Sequence, residues 1–123
     1  MPIKIVYCLR RKDGISREEF QRYWLKEHAP RVKAHAAAIG MRRYVQSHAI
    51  ETPIDAAVAG ARGSPAPYDG VMEGWWDSEA ALFAALSTPE GQAAGADLLA
   101  DEARFIDFAR SPIFFSREHV IFE

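Results

Sequence analysis

The chain has 123 residues, of which 49% are hydrophobic and 26% charged, and these totals are typical of one soluble globular domain spanning residues 1–123. Its formal net charge of -2 argues against nucleic acid or an anionic membrane as the main partner, because both select clustered positive charge. The single cysteine, Cys8, excludes an intrachain disulfide, and without a signal-peptide pattern or an apolar run of about 20 residues the chain is predicted to be cytoplasmic.

The first element is predicted to be a strand over Ile3–Leu9, because β-branched and aromatic residues fill it and the turn signal RRKDG follows it. Alternate side chains of a strand point to opposite faces, and few polar residues interrupt either face here. We therefore expect this strand to be buried on both sides, with Cys8 as a small hydrophobic side chain.

A helix is predicted to begin at Ser16, where Ser16 and Glu19 form the S-x-x-E pattern of a reciprocal capping box, and to stop at Gly40. His28 lies near the middle of its apolar stripe, and Pro30 is expected to distort the helix just before it, because proline lacks a backbone N–H. At about 100° per residue, the side chains predicted to be buried on this stripe are Phe20, Trp24, Leu25, His28, Val32, His35 and Ile39.

The second strand is predicted over residues 41–50, and one of its faces carries Tyr44, Gln46 and His48. Residues 51–70 are rich in Gly, Pro and Ala, and we predict a long mobile loop there. Loops of this kind often border a binding site.

The second half of the chain is predicted to contain a third strand over residues 70–77, two helical pieces and a last strand over residues 111–123. Ser78 caps the first helical piece, and Thr88 with Pro89 begins the second, which is predicted to run to about residue 109. Four side chains of the second piece are predicted to enter the core: Leu98, Leu99, Phe105 and Ile106.

The element order β-α-β-β-α-β predicts an α+β fold of the ferredoxin-like type, in which an antiparallel four-stranded sheet carries its helices on one face. The strands also contain Tyr, Phe and Trp, so the other sheet face would expose a large apolar patch to water. We therefore expect a homodimer packed sheet on sheet. A pocket is then expected between each sheet and its own first helix or loop.

Histidine is the first candidate for chemistry, because imidazole titrates at about pH 6.5 and a modest shift makes it a usable acid or base. From spacing alone, His28 is either a proton-transferring residue or a core histidine bonded to a carbonyl that Pro30 leaves free. Tyr44 and His48 are either a pair that polarises a carbonyl and moves a proton, or a packed tyrosine and an exposed histidine. The remaining histidines are predicted to be structural, exposed or at the dimer interface, namely His35 and His119.

Large aromatic side chains are the predicted pocket walls, with ordinary core packing as the alternative: Trp24, Trp76 and Phe115. Two carboxylates on apolar elements, Glu73 and Asp107, need partners, and Arg43 or Arg104 are the candidates. No histidine pair has i, i+4 spacing and no phosphate-binding loop occurs, so neither a metal nor another cofactor is expected.

Four segments carry a family resemblance: F-x-x-Y-W-x-x-x-H-A-P at residues 20–30, RYVQSH at 43–48, DGVMEGWWDS at 69–78 and R-S-x-x-F-F-S-x-E at 110–118. Together they resemble the EthD-like family, which is named after a protein linked to ethyl tert-butyl ether degradation. The resemblance covers nearly the whole chain, and its most specific part is Trp-x-x-x-His-Ala-Pro. It implies one EthD-like domain with the dimeric α/β-barrel fold, in agreement with the strand order.

This resemblance implies acid–base chemistry in an apolar pocket without a cofactor. Members and near relatives include lactone methyl-isomerases and fungal polyketide decarboxylases and dehydratases, and the wider superfamily includes polyketide cyclases, antibiotic-biosynthesis monooxygenases and haem-degrading enzymes. In the lactone isomerases a helix-one histidine and a strand-two tyrosine line the pocket, and by position these are similar to His28 and Tyr44. The same isomerases use cysteines on helix one and strand three, where this chain has Trp24 and Gly74.

Three functional hypotheses follow. The first is a cofactor-free lyase, isomerase or cyclase for a small lactone, enol or aromatic polyketide-like compound, with His28 and Tyr44 as catalytic residues and a substrate-binding set of Trp24, His48, Trp76 and Phe115. The second is a non-catalytic accessory protein that binds a small apolar ligand in a degradation pathway. The third is a cofactor-free monooxygenase or a haem-binding protein.

Overall fold

Four strands form one antiparallel sheet in the computed structural model, which describes residues 1–123: β1 (Ile3–Leu9), β2 (Arg43–His48), β3 (Gly70–Trp76) and β4 (Ile113–Ser116). Their order across the sheet is β2-β3-β1-β4, and every neighbouring pair is antiparallel. Helices pack on one face of this sheet, so the predicted ferredoxin-like α+β fold is confirmed.

Five α-helices accompany the sheet: α1 (Arg17–Tyr23), α2 (Ala29–Ile39), α3 (Pro53–Gly60), α4 (Glu79–Leu86) and α5 (Pro89–Glu102). A π-helical segment, Trp24–His28, joins α1 to α2, and a short 3-10 turn covers Phe108–Arg110. None of the helices combines the length and the apolar character that crossing a membrane requires.

The cap of α1 follows the prediction in part. The Ser16 hydroxyl accepts a hydrogen bond from the backbone N–H of Glu19 at 3.1 Å. The Glu19 carboxylate pairs with Arg22 rather than returning to Ser16, so the reciprocal half of the capping box was wrong. Gly40 ends α2 as predicted, with a left-handed φ of 75°.

The predicted distortion before Pro30 is confirmed and takes the form of the π-helical segment. The backbone N–H of Ala29 bonds to the carbonyl of Trp24, five residues back instead of four. Pro30 then lies in the first turn of α2, where its missing N–H costs little. His28, only 4% exposed, is the last residue of this widened turn. The predicted burial of the stripe was wrong at Leu25, a residue at the edge of the stripe that is 48% exposed.

The buried side chains form two clusters at opposite ends of the layer between sheet and helices. One cluster contains Ile3, Val32, Ile39, Trp76, Ala94 and Leu98, and the other contains Tyr7, Leu9, Phe20, Trp24, Phe105 and Ile106. The core prediction for the second half of the chain was wrong at Leu99, which is 59% exposed beside the buried Leu98 on the outer side of α5.

Three segment boundaries differ from the prediction. The expected loop contains α3, because Thr52 caps its first turn and Pro53 fixes the backbone there. The long helix ends at Glu102, after which the chain turns back to form an isolated bridge between Ile106 and Arg11. The last strand stops at Ser116, and residues 117–123 have no regular structure.

Candidate active site

A buried histidine–carboxylate pair joins the π-helical segment to the end of α5. Nδ1 of His28 lies 2.7 Å from Oδ2 of Asp101, and the Tyr23 hydroxyl donates to Oδ1 of the same carboxylate at 2.6 Å. Asp101 is only 2% exposed. The carboxylate therefore has a donor on each oxygen, as a buried charge requires.

The environment favours neutral imidazole and ionised carboxylate. Burial lowers the pKa of His28, and this outweighs the opposing effect of the hydrogen bond that His28 donates to Asp101. Burial acts to raise the pKa of Asp101, but hydrogen bonds from Tyr23 and His28 outweigh it and hold that pKa below its ordinary value. The guanidinium groups of Arg31 and Arg104 each lie 3.7 Å from an oxygen of Asp101, and their positive charges stabilise the ionised carboxylate.

The tautomer of His28 follows from these contacts. A neutral imidazole beside an ionised carboxylate places its proton on Nδ1, where it donates to Asp101. Nε2 then carries the free lone pair and has no hydrogen-bond partner in the protein. Every fully buried polar side-chain atom in the protein has a hydrogen-bond partner. Since Nε2 has none, it is not fully buried and remains accessible to solvent. A histidine in this arrangement is able to accept a proton at Nε2.

Sequence reasoning missed Asp101, although a signal for it exists. Helices α2 and α5 run in opposite directions, and a second histidine–aspartate pair lies beside the first: Nε2 of His35 is 2.8 Å from Asp97. Two histidines seven residues apart thus face two aspartates four residues apart. This outer pair is partly exposed, so His35 has the structural or exposed position that the sequence predicts.

A second polar chain runs along the inner face of β2. Nε2 of His48 lies 2.8 Å from the Gln46 carbonyl oxygen, and the Gln46 amide donates to Oη of Tyr44 at 2.8 Å and to the Trp24 carbonyl at 2.9 Å. Burial raises the pKa of Tyr44 to about 12, so its phenol is protonated at neutral pH. Since its oxygen accepts from Gln46, the phenol hydrogen remains available for a ligand.

The indole of Trp24 is fixed between this chain and β3. Its ring stacks on His48 with centroids 4.5 Å apart, and burial lowers the pKa of that histidine. A side chain on Gly70 would meet the indole, because an ideal Cβ there lies 2.5 Å from a Trp24 ring carbon. Trp24 is therefore a core residue that positions β2, and the predicted contact of its ring with substrate stays a prediction.

The structure does not bring all six predicted site residues together. Trp76 and His48 lie on opposite ends of the sheet, six strand positions apart along β3, which corresponds to about 20 Å. Trp76 packs in the first core cluster, and its indole nitrogen donates to the carbonyl of Ile39 at 2.8 Å. Phe115 contacts Trp76 and is 50% exposed on the edge strand β4. Trp76 is therefore separated from His48, whereas Tyr44 is opposite Gly74 and packs against the core cluster that contains Trp76.

The two carboxylates that the sequence singles out, Glu73 and Asp107, have other ion-pair partners than predicted. Glu73 pairs with Lys4 across β1 and β3, so the prediction of Arg43 or Arg104 was wrong. Asp107 has Arg110 at 3.7 Å. Histidine, cysteine and carboxylate side chains form no group of three or more with the geometry of a metal site.

A surface cleft borders the polar chain of β2 at Tyr44. A cleft of about 330 Å³ between α2 and β2 has Tyr44 and Met41 among its lining residues. Met41 also fills the space above Gly74, where its terminal carbon lies 2.8 Å from an ideal Cβ position. Met41 therefore contacts both this cleft and the sheet at Gly74.

A family comparison agrees with this arrangement. The family model described as EthD domain matches residues 12–109 of the chain. The chain belongs to the EthD domain family. The match spans the π-helical segment, the strands β2 and β3, and all five α-helices, so both His28 and Asp101 lie inside it. A search of curated protein sequences found no match.

Solved structures support the fold of this EthD-family chain. An EthD-like protein from Ralstonia eutropha JMP134 is 20% identical, covers 98% of this chain and 94% of its own, and has a TM-score of 0.64. A dimeric ferredoxin-like protein of unknown function from Thermobifida fusca YX is 17% identical, with 94% and 90% covered and a TM-score of 0.58. A variant of SnoaB, a cofactor-independent oxygenase from Streptomyces nogalater, is 16% identical, with 99% and 98% covered and a TM-score of 0.51.

Proposed function

We propose that this EthD-family chain is a cofactor-free acid–base enzyme, a lyase, isomerase or cyclase, for a small lactone, enol or aromatic polyketide-like compound. The observation that carries the proposal is the buried His28, with Nδ1 oriented by Asp101 and Nε2 unpaired. A histidine kept neutral by burial needs no prior deprotonation to act as a base at neutral pH.

In the proposed mechanism, Nε2 of His28 removes a proton from a carbon next to a carbonyl group. The electron pair of the broken C–H bond forms the enolate, and the Tyr44 phenol donates a hydrogen bond to the developing oxyanion. Gln46 supports this role, because it donates to the Tyr44 oxygen and leaves the phenol hydrogen free for the substrate. The imidazolium formed in this step is stabilised by the Asp101 carboxylate.

Substrate entry is proposed through the cleft between α2 and β2. Tyr44 lines that cleft, and rotation of Met41 would join it to the inner sheet face. The partners of the chain are accordingly a small apolar or aromatic ligand and a second copy of the chain. The dimer proposal is supported by the half-buried apolar outer sheet face and by the dimeric structural relative.

Deuterium exchange tests the base directly. The probe is α-angelica lactone, whose C3 protons lie between its carbonyl and its double bond, together with an enolisable polyhydroxyaryl methyl ketone. Proton NMR in D2O is expected to show exchange above the buffer rate. His28→Ala should lower this rate by roughly 10²- to 10⁴-fold, and Tyr44→Phe by roughly 10²-fold. The control is His119→Ala, an exposed residue outside the regular elements, which should match wild type.

Two outcomes decide against the enzyme. Exchange no faster than buffer for every probe, with ligand binding still measurable, would favour the accessory binding protein. An equal rate in wild type and His28→Ala would remove His28 from the mechanism.

A cofactor-free oxygenase is the second candidate, because the fold is shared with SnoaB over nearly the full length of both chains. Oxygen uptake with a dihydroxynaphthalene, measured with an oxygen electrode and with added haem as a separate arm, distinguishes this activity from proton transfer alone.

A further inference from the structure

Basic side chains are concentrated at the end of the sheet where β1 ends and β3 begins. A cavity of about 380 Å³ lies there, between the segment that follows β1 and the segment that precedes β3. Two carboxylates line it, Asp13 and Asp69, together with five cationic side chains: Arg10, Arg11, Lys12, Arg17 and Arg110. The lining thus has a formal charge of +3, five positive charges against two negative ones, although the net charge of the chain is -2.

Arg10 is held in place by the segment before β3. Its guanidinium group donates to the backbone carbonyls of Ala66 and Pro67, at 3.3 Å each, and lies over the ring of Tyr68, 4.3 Å from the ring centroid. These two hydrogen bonds leave the other N–H donors of the group free. Because a side chain that is already ordered loses little conformational entropy on binding, Arg10 is preorganised for a ligand.

Arg11 and Arg17 share one buried carboxylate. Asp69 is 6% exposed, and its Oδ1 contacts a terminal nitrogen of Arg11 and lies 3.5 Å from Nε of Arg17. Oδ2 of Asp69 accepts from the backbone N–H of Arg11 at 2.9 Å. One negative charge therefore faces two positive charges. Neither guanidinium group makes another hydrogen bond within the protein, so each keeps free N–H donors.

The excess of positive charge favours a multiply charged oxyanion as the ligand. Guanidinium groups present their N–H donors in a planar fork that matches the oxygens of phosphate and carboxylate groups. A carboxylate neutralises one charge, whereas a phosphate monoester carries about 1.5 to 2 negative charges at pH 7. The charge of the lining therefore suits a phosphate group better than a carboxylate.

A second cavity adjoins the first and indicates what else such a ligand contains. It has a volume of about 560 Å³, lies between α3 and the segment before β3, and shares Ala66 and Pro67 with the basic cavity. The charges of Asp55 and Arg62 cancel in its lining, and further lining residues are apolar: Ala56, Val58, Ala59 and Pro65. Together the two cavities offer a charged end and an apolar end to one ligand.

We propose that the two cavities bind one small organic phosphate, whose phosphate group contacts Arg11 and Arg17 and whose apolar or aromatic part lies against Val58. This site is distinct from the candidate active site, because neither His28 nor Tyr44 lines either cavity. The inference goes beyond the proposed function and does not depend on the reaction.

Three probes test the chemical class of the ligand by isothermal titration calorimetry at constant ionic strength in a buffer without phosphate. They are 1-naphthyl phosphate, inorganic phosphate and 1-naphthol. The ester is expected to bind about 10-fold or more tightly than inorganic phosphate, because its naphthyl group buries additional apolar area. It should bind at least about 10-fold more tightly than 1-naphthol, which has no charge for the arginines.

Arg17→Gln tests the charged end and leaves the pair of Arg11 with Asp69 intact. It should weaken the binding of both phosphates by about 10-fold or more. Arg110→Gln removes a second lining cation at an exposed position and should weaken them by about 3-fold or more. Arg42→Gln is the matched control, because it removes the same charge at the opposite end of the sheet, and it should leave both affinities within about 2-fold of wild type.

Val58→Ser tests the apolar end. It should weaken the binding of 1-naphthyl phosphate by roughly 3- to 10-fold and leave that of inorganic phosphate unchanged. Ile54→Ser is its control, because Ile54 is an exposed residue of the same helix that does not line the cavity.

Each alternative result overturns the inference in a different way. Equal affinities for inorganic phosphate and the ester would mean that the site takes free phosphate only. If 1-naphthol bound as tightly as the ester, the arginines would have no part in recognition. Equal losses in Arg17→Gln and Arg42→Gln would show a general effect of charge instead of a site. The absence of measurable binding of the ester to wild type would remove the site altogether.

Discussion

Oδ2 of Asp101 lies 2.7 Å from Nδ1 of His28, although the two residues are 73 positions apart in the chain. The contact joins the π-helical segment to the last turn of α5, and both side chains are almost fully buried. Asp101 therefore has two roles that separate experimentally: it holds the helices together, and it fixes which nitrogen of His28 carries the proton.

Asp101→Asn tests the second role. An asparagine amide can donate to Nδ1, which would place the imidazole proton on Nε2 and remove the free lone pair. The C3 exchange rate of α-angelica lactone is expected to fall on the order of 10³-fold or more. Urea unfolding should show a loss of about 1–3 kcal/mol, because the contact with Tyr23 can persist in altered form.

The neighbouring pair supplies the control for that variant. Asp97 contacts His35 and Arg31 one turn earlier on α5, but it is far more exposed than Asp101. Asp97→Asn should leave the exchange rate unchanged and cost less than about 1 kcal/mol of unfolding free energy. Equal kinetic losses in the two variants would show that the effect of Asp101 is only structural.

The sequence was sufficient for the order of the four strands and for the burial of His28, because capping residues, strand alternation and the helical stripe are local signals. Asp101 depends on a long-range relationship, namely the antiparallel docking of α5 on α2, and its sequence neighbours alone do not indicate it. The sequence could not indicate for the same reason that Glu102, the last residue of α5, has no basic side chain beside it. This becomes clear only when the positions of all basic side chains are known.

The errors also have local physical causes. Helix α3 was missed because a segment rich in Gly, Pro and Ala resembles a loop by composition, although Thr52 and Pro53 are good helix starters. The walls Trp76 and Phe115 were assigned to the pocket by residue type. Their strand register, which sets them about 20 Å from His48 or on an edge strand, follows from pairing that composition does not reveal.

Gly70→Ala tests the fixed position of Trp24. The added Cβ would stand 2.5 Å and 2.8 Å from two indole carbons and 2.8 Å from the carbonyl of Ser47, so the ring or the strand must move. We expect a loss of about 1–3 kcal/mol in urea unfolding, as for an overpacked core. Stacking of Trp24 on His48 should weaken, which tryptophan fluorescence will report.

Gly95→Ala is the matched glycine control. Nothing lies within 4 Å of an ideal Cβ at Gly95, which is inside α5. Alanine is the better helix former, so this variant should gain roughly 0.5–1 kcal/mol. A loss at Gly95 equal to that at Gly70 would contradict the assigned packing.

The pH dependence of stability separates His28 from Glu102. The pKa of His28 is lowered in the folded state, so the unfolded chain binds the proton more readily and stability falls as the pH drops below about 6.5. The pKa of Glu102 is raised from 4.5 to about 7, so its contribution is present below pH 4.5 and is lost as the pH rises through about 7. The two effects oppose each other.

Glu102→Gln removes only the second effect. The stability difference between Glu102→Gln and wild type should therefore rise in favour of the variant from pH 4.5 to about 7 and then level off. The slope is at most about 1.4 kcal/mol per pH unit. Urea unfolding at four pH values provides the measurement, and Glu90→Gln should run parallel to wild type. Parallel curves for Glu102→Gln would mean that Glu102 titrates normally.

The outer sheet face gives a test of the dimer. Val6 pairs with Phe114 across β1 and β4, on the face opposite the helices, and Phe114 is half-exposed in the single chain. Phe114→Glu places a charge in the proposed sheet-on-sheet contact, where desolvation without a partner is costly. Light scattering should change from twice the chain mass in wild type to a mass near 13.7 kDa in the variant.

Phe83→Glu is the control, because Phe83 is more exposed than Phe114 but lies on α4, on the helical side of the sheet. Its substitution should leave the mass of the wild-type assembly unchanged. If only Phe83→Glu lowered the mass, the interface would lie on the helical side of the protein. The cleft beside Tyr44 and Met41 would then be a candidate part of that interface. A wild-type mass near 13.7 kDa would remove the dimer and leave the outer sheet face in contact with solvent.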